Sequence, residues 1–265
     1  METQYKALFF DIDGTLVPFG DTEPPREVIE ALADVRRRGV KVFIATGRHI
    51  DWVKNLGDLE ADGYVTVNGG ICLLSDRKTR IYCYSIPQED TDRLADFGSR
   101  SDLPMVIVPA DGGIFQSRQA ENIDLVRTLL KLPDTPIRPL SEVRGMNLVQ
   151  AMAFDSPEAI RQTGLLTEVM PHCVGTSWHP IFCDIVPKGS NKAVGIDRML
   201  EHFGLRPEEA VAFGDGDNDI EMLRHVGMGI AMGNSAPQVK EAADMVTADV
   251  RDGGIVKALA TLRLL

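Results

Sequence analysis

Two acidic clusters stand out by residue type and spacing: Asp11-Ile12-Asp13-Gly14-Thr15 near one end of the chain and Gly214-Asp215-Gly216-Asp217-Asn218-Asp219 near the other. Carboxylates that converge repel one another unless a cation holds them, and hard oxygen donors point to Mg2+. Magnesium takes only one or two protein carboxylates and fills its remaining positions with water and substrate phosphate, so the same residues point to a phosphorylated substrate. Asp11 and Asp215 are the expected direct ligands. The backbone carbonyl of Asp13 is a further metal contact, and Asp219, one helical turn beyond Asp215, is expected to orient a metal-bound water.

The chemistry that follows is phosphoryl transfer. A carboxylate beside the metal can attack phosphorus and form an aspartyl-phosphate, which splits one difficult displacement into two easier ones, and this role falls to Asp11. Asp13 is two residues on and on the same side of an extended chain, and Gly14 lets the backbone turn directly after it. Its expected role is to give the leaving alkoxide a proton and later take one from water. Charge that spreads over the equatorial oxygens needs fixed donors, and Thr46, Lys192 and Asn218 are the phosphate-binding candidates, with the amides of Gly14, Thr15 and Gly47 beside them. Lys188-Gly189 offers a second lysine four residues before Lys192. Arg48 has no assigned role: it can pair with an acid as readily as touch a substrate.

These residues must be positioned by a sheet. Residues 5–10 form a continuous apolar run that breaks into Asp11, as a buried parallel strand does on reaching the surface. From Pro24 the spacing of Val28, Ile29, Leu32 and Val35 is helical, with Gly39 as a stop; residues 40–45 are again a strand, ending in Thr46-Gly47-Arg48 before another expected helix. At the far end, helices are expected over 193–203, 220–226, 237–243 and 254–262, and strands over 210–213, 228–232 and 245–247. The fold class is therefore α/β, a Rossmann-like open parallel sheet with helices on both faces, in which ligands bind beyond the carboxyl ends of the strands. The middle differs. Strands over 105–108, 147–154 and 173–186, the last broken near His179-Pro180, and helices over 88–98, 121–130 and 156–170 read as an α+β unit with an antiparallel sheet. The expected organisation is a core of residues 1–84 and 187–265 interrupted by an inserted domain at 85–186.

Composition narrows the function further. The 265 residues are 44% hydrophobic and 25% charged, as in an ordinary globular protein. Lys plus Arg number 28 against 39 Asp plus Glu, a net charge of -11 that disfavours nucleic acid as a partner. No apolar stretch approaches a membrane span, and no basic lead precedes one, so neither membrane nor export is expected and the reading is cytoplasmic. Cys72, Cys83, Cys173 and Cys183 show no metal or disulfide spacing and read as reduced apolar side chains; the five histidines show none either. The acidic loop after Gly214 is not an EF-hand, since Val226 stands where the bidentate Glu belongs.

With these motifs in hand, the chain resembles the haloacid dehalogenase superfamily, in its Cof-like sugar-phosphatase branch with a large α/β cap. Asp-Ile-Asp-Gly-Thr-Leu at 11–16 is similar to the first motif of the family, Thr46-Gly47-Arg48 to the second, Lys192 to the third and the sequence at 214–219 to the fourth. The resemblance implies Asp11 as nucleophile, Asp13 as acid and base, Thr46 and Lys192 as phosphate binders, Asp215 with Asp219 at Mg2+, and the inserted unit as a cap that selects a small phosphorylated metabolite. Two departures stand out: Lys192 is followed by Ala193 where the family often has Lys-Gly, and Asn68-Gly69-Gly70 replaces Asn-Gly-Ala. A phosphomutase with the same nucleophile, and a phosphosugar-binding regulator without turnover, are the alternatives. The physiological ester and the oligomeric state are not legible in one sequence.

Overall fold

The computed structural model describes residues 5–54, 56–176 and 180–265. It divides into two compact units, one formed by residues 1–82 and 191–265 and the other by the continuous segment 83–190. These divisions fall at Tyr82/Cys83 and Ser190/Asn191, beside the expected 84 and 187.

The first unit opens with β1 (Ala7–Phe10), α1 (Arg26–Arg37), β2 (Lys41–Ala45), β3 (Gly63–Thr66), β4 (Ile71–Leu74) and β5 (Arg80–Cys83). All four residues of β1 are buried, which is why its sequence is apolar without alternation. Helix α1 turns Val28, Ala31, Leu32 and Val35 inward and gives way to Gly39 at φ 90°, a conformation open to glycine without strain. The helix expected after Arg48 is reduced to a single 3-10 turn, Ile50–Trp52, because Val53 leaves helical geometry at ψ 85°. The three short strands β3 to β5 carry too few residues each, and too tight a turn between the first two, for periodicity to separate them.

The second unit contains α2 (Gln88–Phe97), β6 (Met105–Pro109), β7 (Phe115–Gln116), α3 (Glu121–Leu129), β8 (Leu148–Ala153), α4 (Pro157–Gln162), β9 (Cys173–Thr176) and β10 (Cys183–Pro187). Its five strands run in the order β7-β6-β8-β10-β9, antiparallel throughout, over a core that includes Leu94, Met105, Ile107, Phe115, Ala151 and Ile185. The helix expected over 156–170 is broken in two. Gly164 takes φ 73°, and a wider π turn, Leu165–Val169, follows so that Leu165, Val169 and Met170 still reach the core. The break expected near His179-Pro180 falls where Ser177, Trp178 and His179 lie outside the described residues.

The chain then returns as α5 (Lys192–Phe203), β11 (Ala210–Gly214), α6 (Ile220–His225), β12 (Met228–Ala231), α7 (Pro237–Ala242), β13 (Met245–Val246) and α8 (Gly254–Thr261). The eight-stranded sheet has the order β13-β12-β11-β1-β2-β3-β4-β5. From β13 through β3 it is parallel, and β4 is antiparallel to β3. Ring pairs Phe9–Phe43 and Phe10–Phe213, both with centroids 4.7 Å apart, stack across adjacent strands on opposite faces. One face is covered by α5, α6 and α7 through Ile196, Met199, Met222, Leu223 and Val239. The decisive point is the connectivity. The chain runs outward from β1 through β2 and β3, then restarts at β11 on the other side of β1, so the crevice of this open sheet lies at the carboxyl ends of β1, β2 and β11.

Candidate active site

Each of those three strands ends in a motif singled out above. Asp11 extends β1 by one residue, its N–H donating to the Phe213 carbonyl (3.0 Å), and the chain then folds back, with Gly14 N–H donating to Val17 O and Val17 N–H to Ile12 O, each at 2.8 Å. Gly14 sits at φ 87°, and a Cβ there would lie 2.2 Å from Asp215 Oδ2, so both handedness and space require glycine. The buried Thr15 hydroxyl donates to Asp215 Oδ1 at 2.7 Å and fixes that carboxylate.

Lys192 is the centre of the site. It is the first residue of α5, whose N-cap Asn191 accepts the Val194 N–H, and its side chain is wholly buried. Its Nζ donates to Asp11 Oδ1 at 2.6 Å and to Asp219 Oδ1 at 2.5 Å. Helix α5 can lie this close because two glycines face each other: a Cβ on Gly195 would meet Gly69 Cα at 2.9 Å, and one on Gly69 would meet Asn191 O at 1.9 Å. The other oxygen of Asp219 accepts the N–H groups of Asp215 and Gly216, both at 2.9 Å, which shapes the loop after β11.

Oxygens of Asp11, Asp215 and Asp219 lie within 4.8 Å of one another. The electrostatics of this set are short of positive charge. Burial raises the Asp11 carboxyl well above its ordinary value; Lys192 pulls it back, but Asp219, Asp215 and Asp13 add to the rise. Burial also pushes Asp215 up to about 7, against the Thr15 hydrogen bond. For Lys192 burial works against the charge, yet Asp11 and Asp219 outweigh it and hold the ammonium above its ordinary value. Three clustered carboxylates sharing one ammonium are a donor set that fits a hard divalent cation.

Asp13 is turned elsewhere. Its carboxylate accepts two hydrogen bonds from Arg48, Nε to Oδ2 at 2.8 Å and Nη2 to Oδ1 at 2.7 Å, in the fork-to-fork geometry that guanidinium favours. Arg48 is therefore a residue of the site, which its sequence neighbourhood alone left open. Thr46 is buried at the end of β2, and its hydroxyl accepts the Arg48 N–H at 3.2 Å. Gly47 lies against the Asn68 carboxamide, and Asn218 donates to Asn68 Oδ1 at 2.9 Å. Asn234, which no sequence pattern marked, donates to the Gly14 carbonyl at 2.9 Å and accepts the Val250 N–H at 3.0 Å, tying the loop after β12 to the loop after β1. Lys188 belongs to the unit 83–190, where its ammonium donates to the Pro171 carbonyl at 2.7 Å.

A parallel sheet with this crevice, a paired Asp motif after β1 and a buried lysine at the head of the returning helix together define a hydrolase class. The chain belongs to the haloacid dehalogenase-like hydrolases, which it matches over residues 8–259. It is an enzyme of the phosphatase type that its relatives represent. The relative named "Putative phosphatase YkrA" of Bacillus subtilis is 31% identical over 98% of both chains. HMP-PP phosphatase of Serratia proteamaculans is 27% identical over 89% of this chain and 86% of its own. Among solved structures, a sugar phosphatase of haloacid dehalogenase subclass IIB superimposes with a TM-score of 0.87 at 37% identity, covering 98% of this chain and all of that one. A phosphatase of the same superfamily from Bacteroides thetaiotaomicron gives a TM-score of 0.87 at 29% identity over 100% and 97% of the two chains.

Proposed function

We propose that the protein is a Mg2+-dependent phosphatase of small phosphate monoesters, sugar phosphates in the first place, working through a phosphoenzyme on Asp11. The observation that carries this reading is the buried bridge from Lys192 to Asp11 and Asp219 with Asp215 beside it. A sugar phosphatase among the similar structures supports the substrate class.

In this reading an Asp11 oxygen attacks phosphorus and the P–O bond to the leaving group breaks. Asp13 supplies the proton that the departing alkoxide needs. Water then attacks the aspartyl-phosphate, Asp13 accepts a proton from it, and the bond from phosphorus to Asp11 breaks to release inorganic phosphate. Lys192, Thr46, Asn218 and the Gly47 amide hold the phosphoryl oxygens as charge spreads over them. Mg2+, held by Asp11, the Asp13 carbonyl and Asp215, would supply the positive charge that neutralises the nucleophile and phosphoryl group. Asp219, with both oxygens engaged by Lys192 and the loop amides, acts by orienting those neighbours and, were Mg2+ bound, would help order the water around it. The segment 83–190 is assigned the role of a cap that selects the leaving group, and four free thiols support a cytoplasmic location.

The test is phosphate release from a panel of sugar phosphates and other small monoesters, with and without Mg2+, for the wild type and Asp11→Asn. Magnesium-dependent release that the variant loses is the expected result. Unchanged turnover in Asp11→Asn would remove the nucleophile from the reading, and transfer of phosphate between sugar positions without release would make the enzyme a mutase.

A further inference from the structure

The turn after β3 holds three consecutive residues in the left-handed region: Val67 at φ 53°, Asn68 at φ 48° and Gly69 at φ 90°. For Gly69 this is free of strain, and Asn tolerates it, but Val67 is β-branched and wholly buried, a residue for which the conformation is costly. A backbone held against such strain must be over-determined, and here it is: Val67 N–H donates to the Arg48 carbonyl and Asn68 N–H to the Thr46 carbonyl, each at 3.1 Å. The turn is thus stitched onto the phosphate-binding segment after β2.

What the strained turn presents is the Asn68 carboxamide. Its Oδ1 accepts the Asn218 Nδ2 at 2.9 Å, across to the loop after β11. On its other side it covers Gly47, where a Cβ would lie 3.1 Å from Oδ1 and 3.3 Å from Nδ2. One side chain therefore bonds to Asn218 and packs against Gly47, two residues assigned to the phosphoryl group and delivered by different strands. Gly69, next in sequence, abuts the carbonyl of Asn191, the residue before Lys192.

We propose that Asn68 is a positioning residue of the phosphate site: its carboxamide sets Asn218 and the Gly47 amide in register, so that both converge on the same phosphoryl group. Asn is the residue type that accepts the left-handed backbone and also carries an oxygen acceptor on a short arm. The proposal rests on the phosphatase reading above, because it needs a phosphoryl group for those donors to hold.

The experiment is a double-mutant cycle on Asn68→Gly and Asn218→Ala, read as the affinity for inorganic phosphate by calorimetry with Mg2+ present, beside the melting temperature. Glycine takes a φ of 48° without strain, so Asn68→Gly removes the carboxamide and keeps the turn. Each single variant is expected to bind phosphate about tenfold more weakly, the scale of one hydrogen bond to a charged group, and the double variant clearly less than the roughly hundredfold that independent effects would give, because the part of Asn68 that acts through Asn218 is then counted once. Asn68→Gly should also raise KM more than it lowers kcat. Wild-type affinity in Asn68→Gly, or effects that simply add in the double variant, would overturn the proposal and leave the phosphatase standing. A wild type that neither binds phosphate nor releases it from any ester would take down both.

Discussion

Replacing Lys192 with Met tests how the buried site balances its charge. Methionine has nearly the same length and volume and fills the same space, so the change amounts to deleting one ammonium that lies 2.6 Å from Asp11 and 2.5 Å from Asp219. Removing one partner of a buried ion pair ordinarily costs about 3–5 kcal/mol. Here the cost also has a ceiling set by pH. The site can replace the lost charge by taking up one proton on a carboxyl whose ordinary value is 3.8, and at pH 7 that uptake costs about 4 kcal/mol. Asp219 keeps two amide donors on its other oxygen, so Asp11 is the carboxyl that takes the proton. Its folded value, already raised in the wild type, rises further once the ammonium that lowers it is gone, so the added penalty is absent below pH 3.8 and grows as pH rises. At pH 5 the ceiling is only about 1.6 kcal/mol. Urea unfolding of wild type and Lys192→Met in chelator should therefore show a loss of no more than about 4 kcal/mol at pH 7 that shrinks to about 1.6 or less at pH 5, and Mg2+ should recover part of it. Equal losses at the two pH values would refute the charge-balance argument and assign the effect of Lys192 to packing.

Two further outcomes follow from other parts of the molecule. Because Arg48 holds both oxygens of Asp13, Arg48→Ala should let the acid wander, and kcat/KM should fall at least tenfold more for alkyl phosphates than for p-nitrophenyl phosphate, whose leaving group needs no proton; an equal fall for both esters would show that Arg48 does not act through Asp13. In β10, burial lifts Asp184 to about 7 against the hydrogen bond it accepts from Gln150 at 2.8 Å, so its folded value exceeds the ordinary 3.8 and the stability it permits is lost as pH climbs from 3.8 through 7. Asp184→Asn keeps the acceptor and should raise stability by up to about 4 kcal/mol at pH 8 and by almost nothing at pH 4, measured by urea unfolding; a gain that ignores pH would exclude the buried charge as its cause.

Much of the site is written in residue type and order. Asp11, Thr46 and Asp215 each stand at or one residue past the end of an apolar run, and an open parallel sheet brings the ends of such runs to one edge, which is where Asp11 and Asp215 meet. The change from short buried strands to an inserted stretch was read from pattern, yet the alternation expected of the antiparallel strands is largely missing, since β6 and β8 are buried along almost their whole length. Where the sequence reading failed, the cause was local. Gly164 breaks what periodicity draws as one helix, and the strands β3 to β5 are four residues each, too short for a period to show.

Tertiary structure alone decided how the charges pair. No spacing rule relates Lys192 to Asp219, Arg48 to Asp13 or Asn68 to Asn218, because each pair joins loops carried by different strands and its distance depends on strand order and on how closely α5 packs. That packing rests on Gly69 and Gly195 meeting without side chains between them. The sequence by itself determined which groups are available for phosphoryl chemistry, since chemical type is a property of each residue; which group holds which is a property of distances that exist only once the sheet has closed around β1.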